Sequence, residues 1–359
     1  MKKLNIQIKN NTKNQSVFIG EGILKNIDKL FNFDNSSKVI IITDRNAAKH
    51  LLNKVRNVMP LETHFIILPP GERSKSISSL QLIWRKLSDF KSDRKTLIVN
   101  LGGGVVIDIG GFAASTYMRG LDFINIPTSL LAQVDAGIGG KTAINFLGIK
   151  NLIGTFYQPI GVVVDIETLK SLPKREFLSG FAEIIKLGLI LDKRFFSLIS
   201  SKHPLEFQSG ELFRIITQSI KIKIDIVTQD VNEKNLRKKL NFGHTIGHAI
   251  EALSLELKKP LLHGEAVLIG MLTEAKISNL MGLLGDEEFG VIQKKVNRID
   301  IPSFDQNINI ERFTEKIQGD KKNFNGKTNW TLLKRIGHSV IDQKVEISII
   351  KTALQKSLI

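Results

Sequence analysis

The chain has 359 residues, enough for two domains and a large buried core. Apolar residues make up 42% and charged residues 24%, which excludes a wholly disordered, collagenous or low-complexity protein. With no cysteine, it cannot hold disulfides, iron–sulfur clusters or thiolate zinc, so any metal must sit on His, Asp or Glu. The balance of 51 Lys and Arg against 35 Asp and Glu gives +16. That charge fits a nucleic acid, an anionic substrate, or solvated lysines in a biased composition. The lysines are scattered without a long like-charge block, which favours the last and argues against a nucleic-acid partner. The opening MKKLNIQIKN lacks the apolar core of a signal peptide, and no uncharged apolar run reaches the roughly 18 residues of a membrane span. A cytoplasmic protein without a membrane partner is expected.

Along the first half, Lys38–Thr43, His64–Leu68, Thr96–Asn100, Asp122–Ile126 and Gly161–Asp165 are short, rich in Ile and Val, and bounded by turn residues. Such runs suit strands buried on both faces. Helical stretches such as Ser76–Phe90 lie between them, which predicts an α/β domain with a largely parallel sheet over residues 1–173. Its ligands should gather at the carboxyl ends of the strands. After a break at Leu172–Lys174, long segments at helical period follow: Arg175–Leu191, Glu211–Thr228, Gly243–Leu257 and Gly264–Met281. They predict an all-α domain over residues 174–359.

Several segments could carry chemistry. Leu101–Gly111, LGGGVVIDIGG, follows a strand and opens a helix, where glycines let backbone N–H groups approach a phosphate. The pattern G-x-G-x-x-G is met at Gly102 and Gly104 but fails at Ile107, so a tight Gly-rich turn accounts for the run equally. Gln133–Asn145, QVDAGIGGKTAIN, ends like a Walker A loop at Gly140–Lys141–Thr142, but Asp135 stands where that loop begins with glycine. It reads as a Gly-rich segment whose lysine suits a phosphate or polar substrate. Lys150 follows, beside Asn151 and Gly154.

Three of the seven histidines, His244, His248 and His263, fall within 20 positions, where even spreading puts fewer than one. His244 and His248, at i and i+4, share a helix face. They fit either a structural pair or metal ligands; Thr245 after His244 rules out the HExxH helix. Glu183 and Lys186, at i and i+3 in GFAEIIK, project together. One carboxylate with two histidines is the composition of a catalytic zinc site. Lys223, Glu233, Arg237 and Asn241, taken alone, read as a solvated charged helix followed by a loop.

The chain resembles the 3-dehydroquinate synthases of the sugar-phosphate cyclase superfamily. The likeness runs from TDRN at Asp44 to GDKKNFNG at Lys321, through LGGGVVID, YMRG, IPTSLLAQVDAGIGGKTAIN, GIKNLIGTFYQP, SLPKREFLSGFAEIIK, LRKKLNFGHTIGHAIE and LLHGEAVLIGM in fixed order. The resemblance implies a Rossmann-like NAD-binding domain, a helical metal- and substrate-binding domain, an active site between them, and a homodimer. It implies one divalent metal, zinc or cobalt, on Glu183, His244 and His263. It places NAD at Asp44, Asn46, Glu72, Lys75, Gly103, Gly104, Val105, Val106, Ile107, Asp108, Thr128, Ser129, Lys141, Lys150, Thr168, Leu169, Lys170 and Ser171. His248, Lys186, Asp135 and Lys141 would act in catalysis. Lys150, Asn151, Lys223, Arg237 and Asn241 would hold substrate, with Arg119, of this or a second subunit, and one of Lys321 and Lys322 at the phosphate. The implied substrate is an anionic sugar acid phosphate, 3-deoxy-D-arabino-heptulosonate 7-phosphate. The implied reaction is transient oxidation, phosphate loss, re-reduction and aldol closure to 3-dehydroquinate, a step of aromatic amino acid biosynthesis. Another sugar-phosphate cyclase and a metal-dependent polyol dehydrogenase are the alternatives. The chain departs from the family at Pro70, where Asp is usual, at Ile107, where Gly is usual, at Ala136 and Gly137, where Ser is common, and at Asn235, a glycine position where Asn tolerates a left-handed backbone.

Overall fold

The computed structural model describes residues 1–6, 15–60, 62–255, 259–300, 313, 317 and 329–357. Its contacts divide the chain into two units, Met1–Pro173 with Ile216–Val231, and Lys174–Ile215 with Asn232–Ile359. The helix Ser209–Gln229 contributes its first turns to the second unit and the rest to the first. A single cut near residue 173 does not describe that return.

In the first unit the strands are β1 (Lys2–Ile6), β2 (Gln15–Gly20), β3 (Val39–Asp44), β4 (Thr63–Leu68), β5 (Leu97–Gly102), β6 (Phe123–Pro127), β7 (Lys141–Phe146), β8 (Ile149–Phe156) and β9 (Gly161–Asp165). Seven of them form one sheet in the order β1-β2-β9-β6-β5-β3-β4. Only the β1–β2 pair of this sheet is antiparallel. Alternation along the strands builds a core on each face. Ile40, Ile42 and Ile98 enter one cluster, while Val39, Ile41, Leu97, Val99 and Leu101 enter the other. Both faces are therefore covered, which is why these strands read as unbroken apolar runs. The helix Ile77–Asp89 starts at Ser76, whose hydroxyl accepts the Ser79 N–H, and buries Leu80, Ile83 and Leu87. The helix Gly104–Thr116 lies so close to β5 that a Cβ on Gly110 would sit 1.9 Å from Asn100 Oδ1. β4 lies on one side of β3 and β5 on the other, so the winding reverses at the carboxyl ends of β3 and β5.

The second unit is helical: Lys174–Leu191, Lys193–Ile199, His244–Ser254, His263–Leu280, Asp286–Val296 and Ile347–Ser357. It also holds an antiparallel hairpin that the all-α reading does not anticipate, β10 (Trp330–Arg335) and β11 (His338–Gln343), turning at Gly337 with φ 83°. Ile246, Ile250, Ala266, Trp330, Leu332 and Leu354 share its core. Two departures resolve simply. Ile107 lies within the helix Gly104–Thr116 with its side chain 1% exposed, so it does not occupy the turn at Gly103. Asn235 has φ −138°, and the left-handed residue of that loop is Glu233, with φ 57°. No helix among the described residues is long and apolar enough to cross a membrane.

Candidate active site

Five parallel strands of the first unit deliver the expected cofactor residues other than Lys141 and Lys150 from their carboxyl ends. Asp44 ends β3, where its carboxylate accepts the Asn46 and Ala47 N–H groups. Glu72 and Lys75 follow β4, and Gly103 to Asp108 follow β5. Thr128 and Ser129 follow β6, and Thr168 to Ser171 follow β9. The Thr128 N–H donates to the Gly102 carbonyl, and a Cβ on Gly103 would meet Ser129 Oγ at 3.5 Å. No side chain caps the helix Gly104–Thr116. Its open N-terminus at the switch point fits a dinucleotide pyrophosphate, which backbone N–H groups can hold. Gln133, which sequence reasoning passed over, ties two strand ends by donating Nε2 to Thr168 Oγ1, the Asp165 carbonyl and the Pro127 carbonyl.

Buried lysines organise the rest of this unit. Lys75 Nζ donates to Asp108 Oδ2 and to Asn151 Oδ1. Burial pushes the Asp108 carboxyl up, against the pull of Lys75. Lys223, 5% exposed, donates to the Asp135 carboxylate and, at 2.8 Å, to the Asp135 carbonyl. Lys223 thus does not lie on a solvated face. Lys141 opens β7 and Lys150 lies in β8, whereas Arg119 is exposed on the YMRG turn with φ 70°.

In the second unit three helices converge on Glu183. Glu183 and Lys186, each 2% exposed at the side chain, are paired through Lys186 Nζ and Glu183 Oε2. Glu183 Oε1 faces His244 Nε2 at 3.6 Å and His263 Nε2 at 3.7 Å. One ligand atom from each of the three lies within 4.8 Å of the others. Ligands at about 2.0–2.1 Å from a tetrahedral zinc ion stand roughly 3.4 Å apart, so the three fit such an ion. Each imidazole is also held from behind. His244 Nδ1 lies 3.2 Å from the Phe242 carbonyl, and His263 Nδ1 lies 3.3 Å from Glu251 Oε2. That leaves both Nε2 atoms for a metal. Burial opposes a charge on His263, but Glu251 and Glu183 outweigh it and push its pKa up to about 10 in the metal-free chain. His248 stands beside the cluster, its ring 5.2 Å from that of His244 and 6.0 Å from that of His263. Arg237 is 2% exposed, and Asn241 Nδ2 donates to Glu233 Oε1 at 2.8 Å. Glu251 escaped the sequence reading, although it sits three residues after His248 on the histidine helix. Lys321 and Lys322 lie outside the described residues.

The family profiles described as "3-dehydroquinate synthase N-terminal" and "3-dehydroquinate synthase C-terminal" match residues 65–179 and 180–323. A 3-dehydroquinate synthase of Thermodesulfovibrio yellowstonii is 39% identical over 99% of this chain and 100% of its own length. Two solved structures are each 25% identical with TM-score 0.87. One is 2-deoxy-scyllo-inosose synthase complexed with carbaglucose-6-phosphate, NAD⁺ and Co²⁺, covering 99% of this chain and 100% of the other. The second is the 2-epi-5-epi-valiolone synthase of Streptomyces hygroscopicus subsp. jinggangensis with NAD⁺ and Zn²⁺ bound, covering 95% and 96%. The fold is that of the sugar-phosphate cyclase class. Within that class, the chain belongs to the 3-dehydroquinate synthase family.

Proposed function

We propose that the chain converts 3-deoxy-D-arabino-heptulosonate 7-phosphate to 3-dehydroquinate and inorganic phosphate, as a carbon–oxygen lyase of aromatic amino acid biosynthesis. The observation that carries this reading is the end-to-end similarity to 3-dehydroquinate synthases, against 25% for the cyclases of other sugars. NAD⁺ would accept a hydride from one ring carbon and later return it, while a Zn²⁺ or Co²⁺ ion held by Glu183, His244 and His263 would acidify the hydroxyl on that carbon.

The chain's own residues would bind, orient and manage protons. Arg237 presents a planar fork of N–H donors that a carboxylate matches in bidentate fashion. Lys223 Nζ, held by Asp135, adds a second cation for the acid end. Lys141, Asn151 and Arg119 suit the phosphate, as does a lysine of the pair Lys321 and Lys322. Asn241, fixed by Glu233, and Lys150 would hold ring hydroxyls. His248 and Lys186 would move protons at the hydroxyl and at the departing phosphate. Such a site works mainly by positioning.

The expected assembly is a homodimer in the cytoplasm, where phosphorylated sugars and NAD⁺ reside. The hairpin β7–β8 supports a second copy as partner. It leaves Phe146, Leu147, Ile149, Leu152, Ile153 and Phe156 exposed, Leu147 at 81%. Six exposed large apolar side chains on one two-stranded hairpin are what an interface with a partner would cover. The Gly120 turn beside Arg119 packs on Tyr157, directly after this hairpin.

The test supplies the heptulosonate phosphate with a trace of NAD⁺ and follows phosphate release. Many turnovers per NAD⁺ are expected. NADH rising one-for-one with product would replace this reading with a polyol dehydrogenase.

A further inference from the structure

The hairpin β7–β8 contains an irregularity. Ile144 pairs with Ile153 and Phe146 with Ile149. Opposite the single residue Asn145, therefore, β8 carries three residues: Lys150, Asn151 and Leu152. Asn151 adopts φ 53°, a left-handed backbone that asparagine tolerates and that a local hydrogen bond can hold in place. Asn145 supplies it, since its Oδ1 accepts the Asn151 N–H at 2.9 Å. A closed ring of bonds follows. The Asn145 N–H donates to the Lys75 carbonyl at 2.8 Å, and Lys75 Nζ donates to Asn151 Oδ1. Outside the ring, Asn145 Nδ2 donates to Glu72 Oε1 at 2.7 Å. An amide is the side chain that accepts on one edge and donates on the other. Aspartate would turn an acceptor toward Glu72, and an aliphatic residue would meet neither partner.

We propose that Asn145 is a positioning residue that fixes the bulge at Lys150–Asn151 to the Glu72–Lys75 segment. In this role it sets the substrate-holding hairpin and the nucleotide-holding segment in one register. The inference rests on the function proposed above, because that reading assigns nucleotide to Glu72 and Lys75 and substrate to Lys150 and Asn151. In chain order, bonds spanning 73 and 76 positions join segments that a single side chain then coordinates.

The experiment uses the full-length, metal-loaded chain. NAD⁺ affinity is read by calorimetric titration without substrate, and KM and kcat are read by phosphate release. Asn145→Asp should weaken NAD⁺ and raise KM for the heptulosonate phosphate by about tenfold each, with metal content retained and kcat changed less than KM. Glu72→Gln restores a donor opposite the new carboxylate. Asn145→Asp should therefore cost much less in that background than in the wild type. If Asn145→Asp does not fold, Asn145→Ser, which keeps an acceptor but is too short for Glu72, is read in the same way. NAD⁺ affinity and KM within twofold of wild type, or strict additivity in the cycle, would overturn the proposal. Absence of phosphate release by the wild type would instead sink the proposed reaction, and the binding titration would still decide the role of Asn145 toward the nucleotide.

Discussion

An imidazole offers one ring nitrogen to a metal most reliably while the other is held in a fixed tautomer. Glu251 does this for His263, and Glu251→Ala should weaken metal binding by about 10–100-fold, read by chelator competition. Glu251→Gln, still an acceptor, should fall between; unchanged affinity in a folded alanine variant would remove Glu251 from this role. The same contact sets a pH dependence. The His263 pKa rises from 6.5 to about 10 in the metal-free chain. A raised histidine pKa stabilises the fold fully below about 6.5, and that gain is lost as pH climbs through about 10. Metal must displace this proton, so the rise in Tm on adding Zn²⁺ should grow from pH 6.5 to 9. A constant increment across that range would contradict the linkage. At the acid end, Arg237→Ala should cost on the order of 2–4 kcal/mol of transition-state binding, roughly 30–1,000-fold in kcat/KM. Arg237→Lys keeps the charge without the fork and should be intermediate. A sugar phosphate lacking the carboxylate should be a poor substrate for wild type, with a narrower gap in Arg237→Ala. Equal loss on both substrates would make Arg237 structural.

At the level of elements, the metal cluster depends on how closely three helices approach. A Cβ on Gly264 would lie 1.8 Å from the Ser179 carbonyl oxygen, where the helices Lys174–Leu191 and His263–Leu280 meet. A Cβ on Gly270 would lie 2.0 Å from the Gly243 carbonyl oxygen, just before the helix His244–Ser254. Glu274 adds a lock from within its helix, accepting the Gly243 N–H at 2.6 Å and the Ile246 N–H at 3.1 Å. Gly264→Ala must push Glu183 and His263 apart. It should destabilise the second unit by about 1–3 kcal/mol or more and lower metal stoichiometry together. Thermal melts with metal analysis read both; full metal content at an unchanged Tm would show that the helices can yield.

For the whole molecule, the exposed hairpin bears on assembly. A partner that covers β7–β8 should be lost when charge is placed on it. Ile149→Lys with Ile153→Lys is expected to shift the chain from dimer to monomer in sedimentation experiments, without changing the metal content of the second unit. A dimer that survives both substitutions would place the interface elsewhere. The net charge of +16 is spread along the chain.

Local pattern was enough for the strands Val39–Asp44, Thr63–Leu68, Leu97–Gly102, Phe123–Pro127 and Gly161–Asp165, because a strand buried on both faces must be apolar throughout. The long helices were legible for a similar reason, since a 3.6-residue period reports which face is buried. Residue type and spacing also brought forward Glu183 with His244, His248 and His263; the resemblance chose Glu183, His244 and His263 among them, and the fold gathers their ligand atoms. Other features depended on partners distant in sequence. Lys223 and Arg237 read as solvated, as charged helix residues usually are; burial, and for Lys223 a bond to Asp135 88 positions away, was decided by tertiary contact. The grip of Glu251 on His263, the bulge opposite Asn145, the return of residues 216–231 to the first unit and the hairpin β10–β11 likewise leave no periodic trace. Periodicity records whether a face is buried; which residue lies against it is set only when loops bring separate elements together, and there hydrogen-bond geometry selects the partner.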